Sequence, residues 1–115
     1  MSNPLYLKKN NLQPYYYAAV VDSAGAAVSL VGATIYVTMK DAATGIVKIN
    51  RLTTGITITN GAGGLFEYHW QSGDTSLPGT YNIEFEINPQ AGGVFTLPDD
   101  TTQAQVIITP SLSNV

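Results

Sequence analysis

Residues 78–88 have the sequence PGTYNIEFEIN, and this stretch decides the fold. After the Pro-Gly pair, polar and apolar residues alternate without interruption. Successive side chains of a β-strand point to opposite faces of a sheet, so the apolar residues here share one face. They are Tyr81, Ile83, Phe85 and Ile87. The polar residues between them share the other face. The stretch therefore predicts a central strand over residues 80–88, with one face in the core and one in solvent.

Two other segments carry the same alternation. In residues 33–40 the apolar face consists of Ile35, Val37 and Met39. In residues 65–71 it consists of Phe66, Tyr68 and Trp70. Turn sequences punctuate the chain, among them DAATG at residues 41–45 and Asn60-Gly61. Further strands are expected at residues 15–21, 46–51, 56–59, 94–97 and 106–109.

No apolar stripe at helical spacing persists along the chain, so no long helix is expected. Short strands separated by frequent turns predict an all-β fold, an antiparallel β-sandwich whose apolar faces interdigitate. The 115 residues suffice for one domain. Asn3-Pro4 and Lys8-Lys9 interrupt any regular pattern near the start. We therefore expect an N-terminal arm at residues 1–13, the sandwich at 14–109 and a C-terminal tail at 110–115.

Composition excludes several classes of function. Charged residues make up only 11% of the chain and the net charge is −3, which argues against nucleic acid or an anionic membrane as a partner. No apolar run is long enough to span a membrane, and the N-terminus lacks the pattern of a signal peptide. The chain has no cysteine, so it has no disulfide framework and no thiolate metal site. Such usage fits synthesis in a reducing cytoplasm.

Residues that could carry chemistry are few. His69 could serve as a general base or metal ligand, but it is out of phase with the apolar face of its strand, and an exposed strand residue is the simpler interpretation. A trio of His69, Ser72 and Asp74 has no Gly-x-Ser-x-Gly elbow to support it. Asp99-Asp100, or Asp74 with its neighbours, offers too few oxygen ligands for calcium. The sequence therefore predicts no catalytic residue, no metal site and no cofactor.

The run Tyr15, Tyr16 and Tyr17 is the most informative polar-aromatic feature. Consecutive residues of a strand face opposite ways, so at least one of these rings is expected to be exposed or covered by a partner. Tyrosine is enriched at protein interfaces because its large ring also carries a polar group. A carbohydrate-stacking platform and an ordinary half-buried strand are the alternatives.

Three stretches, taken in order, resemble a known family. They are GATIYVTMKD at residues 32–41, GLFEYHWQSGDT at 64–75 and PGTYNIEFE at 78–86. Their order and spacing resemble the N-terminal immunoglobulin-like domain of tailed-phage baseplate upper proteins, and related modules of other phage virion proteins. The likeness covers residues 14–109.

The resemblance implies an immunoglobulin-like sandwich that acts as a non-enzymatic virion structural protein. Such a module would dock on other virion proteins, namely capsid, neck, tail or baseplate subunits, in a multi-copy assembly. It would serve as a head decoration or cement protein, or as a neck, tail or baseplate component. Its expected location is the virion, after synthesis in the cytoplasm of the bacterial host. A carbohydrate- or receptor-binding β-sandwich module is the alternative.

Under this interpretation, partner binding falls to the N-terminal arm and the tyrosine run. The arm would lie across a neighbouring subunit and become ordered on binding. Removing residues 1–13 is then expected to abolish incorporation into particles and to leave the fold intact. The partner-binding residues predicted in this way are Leu5, Tyr6, Lys8, Lys9, Tyr15, Tyr16 and Tyr17.

Overall fold

The computed structural model describes residues 4–22, 24–90, 92–97 and 104–110. The described residues contain no helix and form two β-sheets packed as a sandwich. The strands are β1 (Leu5–Lys8), β2 (Tyr16–Ala19), β3 (Thr34–Asp41), β4 (Val47–Leu52), β5 (Ile56–Asn60), β6 (Leu65–Tyr68), β7 (Gly79–Asn88), β8 (Phe95–Leu97) and β9 (Ala104–Thr109).

The two sheets have the strand order of an immunoglobulin-like sandwich. The six-stranded sheet runs β1-β9-β7-β3-β4, and β8 pairs with the second half of β7. The three-stranded sheet runs β2-β6-β5. In immunoglobulin nomenclature β2, β6 and β5 correspond to strands B, E and D, and β9, β7, β3 and β4 to strands G, F, C and C′. Neighbouring strands are antiparallel except β1 and β9, which are parallel.

The core lies between the three apolar faces that alternation predicts. Strand β7 is central, because β3 pairs along one side of it and β8 and β9 along the other. The rings of Phe66 and Phe85 meet edge to face across the two sheets, with centroids 5.1 Å apart. Every apolar residue of the three predicted faces is buried, as are Val20, Leu30 and Ile49. The prediction of an all-β sandwich is therefore confirmed.

The N-terminal segment differs from the expected arm. Leu5–Lys8 form β1, which pairs with Val106–Thr109 of β9. Leu7 is only 3% exposed and belongs to the core. The chain beyond β1 is also tied down, since Asn10 N–H donates to Thr75 O at 2.9 Å. The sandwich therefore begins near residue 5 rather than at residue 14. The strand escaped prediction because it is four residues long and its partner is the last strand, which leaves no hairpin signal.

The predicted 65–71 strand is shorter than expected. Strand β6 ends at Tyr68, although Trp70 remains buried. Of the predicted tail, Pro110 is described and exposed, while residues 111–115 lie outside the described part. Asp99 and Asp100 also lie outside it.

Candidate functional site

The outer side of the three-stranded sheet carries an aromatic surface, which we call the tyrosine face: Tyr15, Tyr17, Glu67 and His69. Strand β2 creates it by alternation, because Tyr16 points inward and packs on Phe85 with ring centroids 5.2 Å apart. Tyr17 consequently points outward and is 67% exposed. The prediction that consecutive tyrosines occupy opposite faces is confirmed.

The side chains of the tyrosine face are already arranged by contacts with one another. The Tyr15 and His69 rings stack with centroids 3.8 Å apart and planes 9° apart. His69 Nε2 lies 2.6 Å from Glu67 Oε1, within hydrogen-bonding distance. Tyr17 lies opposite Glu67 in the β2–β6 register, and its ring centroid is 6.3 Å from that of Tyr15.

Buried groups below the surface fix the position of Tyr15. Pro14 precedes Tyr15, and its carbonyl accepts a 2.9 Å hydrogen bond from the indole Nε1 of Trp70. Trp70 is 3% exposed, and its ring meets that of Tyr68 edge to face, so the donor of this hydrogen bond is held in the core. The Tyr68 hydroxyl in turn donates to Asp74 Oδ2 at 2.5 Å. Burial, with a further contribution from Asp74, raises the pKa of Tyr68 well above its ordinary value.

A close backbone contact fixes His69 from the other side. His69 N–H donates to the carbonyl of Gly55 at 2.9 Å. Gly55 has a φ of +87°, and a Cβ atom there would lie 2.6 Å from the carbonyl oxygen of His69. Only glycine accommodates both the left-handed backbone and this approach. The β4–β5 connection therefore holds the end of β6 in place.

The rest of the described outer surface of this sheet is uncharged. It consists of Ala19, Thr57, Thr59 and Leu65, all exposed. A partner that docks there would desolvate one acidic group, Glu67, which already has His69 beside it. Apart from this Glu67–His69 pair, the face presents uncharged and aromatic surface to a partner.

The structure divides the predicted partner-binding residues between the two sheets. Tyr15 and Tyr17 lie on the tyrosine face, whereas Tyr16 is half-buried, and that burial raises the pKa of its hydroxyl. The other four belong to β1 and its end in the six-stranded sheet. Leu5 packs against the core, Tyr6 is 61% exposed, Lys8 is exposed, and Lys9 N–H donates to Thr109 O.

The catalytic candidates are occupied in other contacts. His69 pairs with Glu67, while Asp74 Oδ2 accepts from the Tyr68 hydroxyl and from Gln71 N–H, so the trio with Ser72 is not assembled. The described residues hold no group of three or more His, Cys, Asp or Glu side chains arranged for a metal ion. Within the same ranges, no helix is long and apolar enough to cross a membrane.

Two carboxylates, Glu84 and Glu86, lie on the outer surface of β7. Arg51 Nη2 lies 2.6 Å from Glu86 Oε2, and the Arg51 guanidinium also lies 3.9 Å above the Tyr36 ring. This bond and one from the Asn88 amide hold the pKa of Glu86 below its usual range. Glu84 is exposed.

The sequence did not indicate that Glu67 and His69 belong with the tyrosines. Alternation predicted that both side chains point outward, but it could not predict that β2 pairs with β6. The register Tyr17 opposite Glu67 is what brings the four side chains together.

Comparisons with known proteins assign the chain to no family. No protein-family model matches it, and a search of curated proteins finds no relative.

Proposed function

We propose that this chain is a non-enzymatic structural module of a tailed-phage virion, and that it docks on another virion subunit through the tyrosine face. The resemblance of residues 14–109 to immunoglobulin-like modules of phage virion proteins motivates the proposal. The observation that carries it is the exposed Tyr17 ring beside a stacked Tyr15–His69 pair.

A prearranged aromatic surface suits binding without chemistry. Association costs free energy when side chains lose rotamer freedom, at about 0.5–1.5 kcal/mol for each one immobilised. Tyr15 and His69 hold one another in the free protein, so most of that cost at these two residues is met by folding. Tyr17 remains available as an anchor with a large ring and a polar hydroxyl.

Under this proposal the partner is a capsid, neck, tail or baseplate subunit, present in many copies. A low content of charged residues, 11%, suits repeated packing because few like charges come together. The sandwich supplies a rigid body, and the tyrosine face supplies the contact.

A complementation experiment tests the docking surface. Virions are produced in a host whose phage lacks this gene, with the wild-type chain or a variant supplied in trans, and incorporation is measured by immunoblot of purified particles. We expect Tyr17→Ala to reduce incorporation strongly. Tyr6→Ala is the matched control, because Tyr6 is 61% exposed but lies in the six-stranded sheet. Equal incorporation of both variants and wild type would overturn the proposed surface.

Carbohydrate binding is the second candidate function, favoured by the same exposed ring. A sugar could stack on Tyr17 and hydrogen-bond to the Glu67 carboxylate opposite it. A glycan array separates the two functions. If the candidate is correct, the wild-type chain binds a defined glycan and Tyr17→Ala loses that binding, while Tyr17→Phe retains most of it. If the wild-type chain binds no glycan on the array, carbohydrate binding is eliminated as a candidate function.

A further inference from the structure

The edge strands of the two sheets differ in charge. The six-stranded sheet ends in β1, which contains Lys8, and in β4, which contains Lys48 and Arg51. Lysine and arginine at an edge discourage pairing with another chain, because that pairing would bury or crowd the charge. The three-stranded sheet ends in β2 and β5, with sequences YYAA and ITITN, and neither strand carries a charge. Strand β8 has only three residues, and short length also protects an edge.

Strand β5 has the stronger pairing character of the two uncharged edges, and its pairing with β6 shifts register between Ile58 and Asn60. Its first four residues, Ile56 to Thr59, are all β-branched, the type best suited to a pleated strand. It lies within residues 52–66, which contain neither a charged residue nor a proline. Strand β5 itself also contains no glycine, and such a strand, exposed at a sheet edge, is the typical template for strand addition.

A groove runs beside β5 between the two sheets. It forms because β4 pairs with β3 only from Val37 onward, which leaves the first residues of β3 without a neighbour on that side. Its lining combines the apolar residues Ala33, Ile35, Ile56 and Ile58 with Thr34 and Thr53, and its volume is about 260 Å³. An added strand would therefore find open backbone groups on β5 and, beside it, a depression of mixed polar and apolar lining.

We propose that β5 pairs antiparallel with β5 of a second copy of this chain. An antiparallel self-pairing is two-fold symmetric, so every contact occurs twice. Centred on Ile58, it sets each Thr57 opposite the Thr59 of the other copy, with no like charges facing one another. Glu67, the nearest acidic group on the outer surface, has His69 beside it. A strand with charged residues at these positions would bring like charges together in such a symmetric pairing.

The consequence is a joined sheet with two tyrosine faces. Two three-stranded sheets paired through β5 form one sheet of six strands, with β2 of each copy at its ends. The two tyrosine faces then lie on the same side of that sheet, so the dimer can bind a repetitive partner surface at two points. The inference rests on the edge strand and does not require the proposed virion function.

The test is the oligomeric state of the full chain, measured by sedimentation equilibrium across a range of concentrations. We expect a reversible dimer for wild type. For Thr57→Lys we expect a dissociation constant raised by about tenfold or more, since the two new lysines lie diagonally across the two-fold axis, close enough to repel each other. Asn50→Lys is the matched control: it adds the same charge to exposed Asn50 of edge strand β4 and should leave the dimer unchanged. A monomeric wild type, or equal effects of the two substitutions, would overturn the inference.

Hydrogen exchange on the wild-type chain supplies a second readout that needs no variant. Dimerisation through β5 should slow exchange of β5 amides as the concentration rises, with no matching change in β2. Concentration-dependent protection of β2 instead would contradict the choice of strand. A monomeric chain that still enters particles would refute this inference alone, and a dimer absent from particles would refute the virion proposal alone.

Discussion

The hydroxyl of Tyr81 donates a 2.7 Å hydrogen bond to the backbone carbonyl of Leu77, four residues earlier in the chain. Tyr81 stands near the start of the central strand β7 and is 1% exposed. The bond ties the β6–β7 connection to that strand, in the arrangement known as the tyrosine corner of immunoglobulin-like sandwiches. The sequence SLPGTY at residues 76–81 thus closes one end of the sandwich.

Tyr81→Phe removes this bond and leaves the ring in place. We expect the free energy of unfolding to fall by about 1 kcal/mol, the typical net value of an intramolecular hydrogen bond. Urea denaturation followed by circular dichroism measures it. Tyr6→Phe is the control, because Tyr6 is 61% exposed and its substitution should change stability by less than about 0.5 kcal/mol. Equal stability of the two variants would show that the corner contributes nothing.

Strand β1 is predicted to be part of the stable fold. Leu7→Ala removes a core side chain that is 3% exposed, and should cost about 2–5 kcal/mol. Deletion of residues 1–8 should cost at least as much, because it also removes the pairing with β9. Denaturation of both variants beside wild type measures the effect. A truncated chain as stable as wild type would restore the view of this segment as a separate arm.

Trp70 is expected to stabilise both the core and the tyrosine face. Trp70→Ala should lower the free energy of unfolding by about 3–5 kcal/mol. Trp70→Phe keeps an aromatic ring but loses the bond to Pro14 O, so it should destabilise less and still loosen the position of Tyr15. Circular dichroism must be the probe, since Trp70 is the one tryptophan of the chain. Loss of the contact between Tyr15 and His69 can be followed by nuclear magnetic resonance of the His69 ring.

Stability is predicted to decline in acid through two carboxylates. The N–H groups of Thr44 and Ala43 hold the pKa of Asp41 below its ordinary value, and Arg51 does the same for Glu86. A carboxyl group whose pKa is lower in the folded state stabilises the fold fully above its unfolded pKa, and this contribution is lost as pH falls through the folded pKa. Stability should therefore decrease as pH falls through about 4.5, at which free glutamate is half protonated.

Denaturation midpoints across this pH range, compared among wild type, Asp41→Asn and Glu86→Gln, check the acid prediction. Each variant should show a weaker dependence on pH than wild type. A dependence that neither substitution changes would assign acid sensitivity to other groups.

Alternation alone predicted the parts of the fold whose pattern is uninterrupted. Strands β3 and β7 have strict alternation over their length, so their bounds and buried faces could be inferred within one or two residues. The same rule predicted that consecutive tyrosines of β2 face opposite ways, without indicating which of them points outward. By contrast, β1 is short and pairs with the far end of the chain, and a local pattern carries no information about a partner so distant.

The contacts of the tyrosine face were not predictable for a related reason. The stacking of Tyr15 on His69 depends on which strands are neighbours and in which register, and on the approach of Gly55 to His69. These are long-range properties of the sandwich. The sequence alone identified the aromatic residues but did not predict that the Tyr15 and His69 rings stack on each other.

The central claim is that this chain is a virion structural module, and quantitative mass spectrometry of purified particles tests it most directly. The measurement counts copies of this chain against the major capsid protein. The account predicts a fixed number of copies in every preparation, either on the scale of the capsid for a decoration protein or in small multiples for a neck, tail or baseplate component. Absence of the chain from particles that are otherwise complete would contradict it.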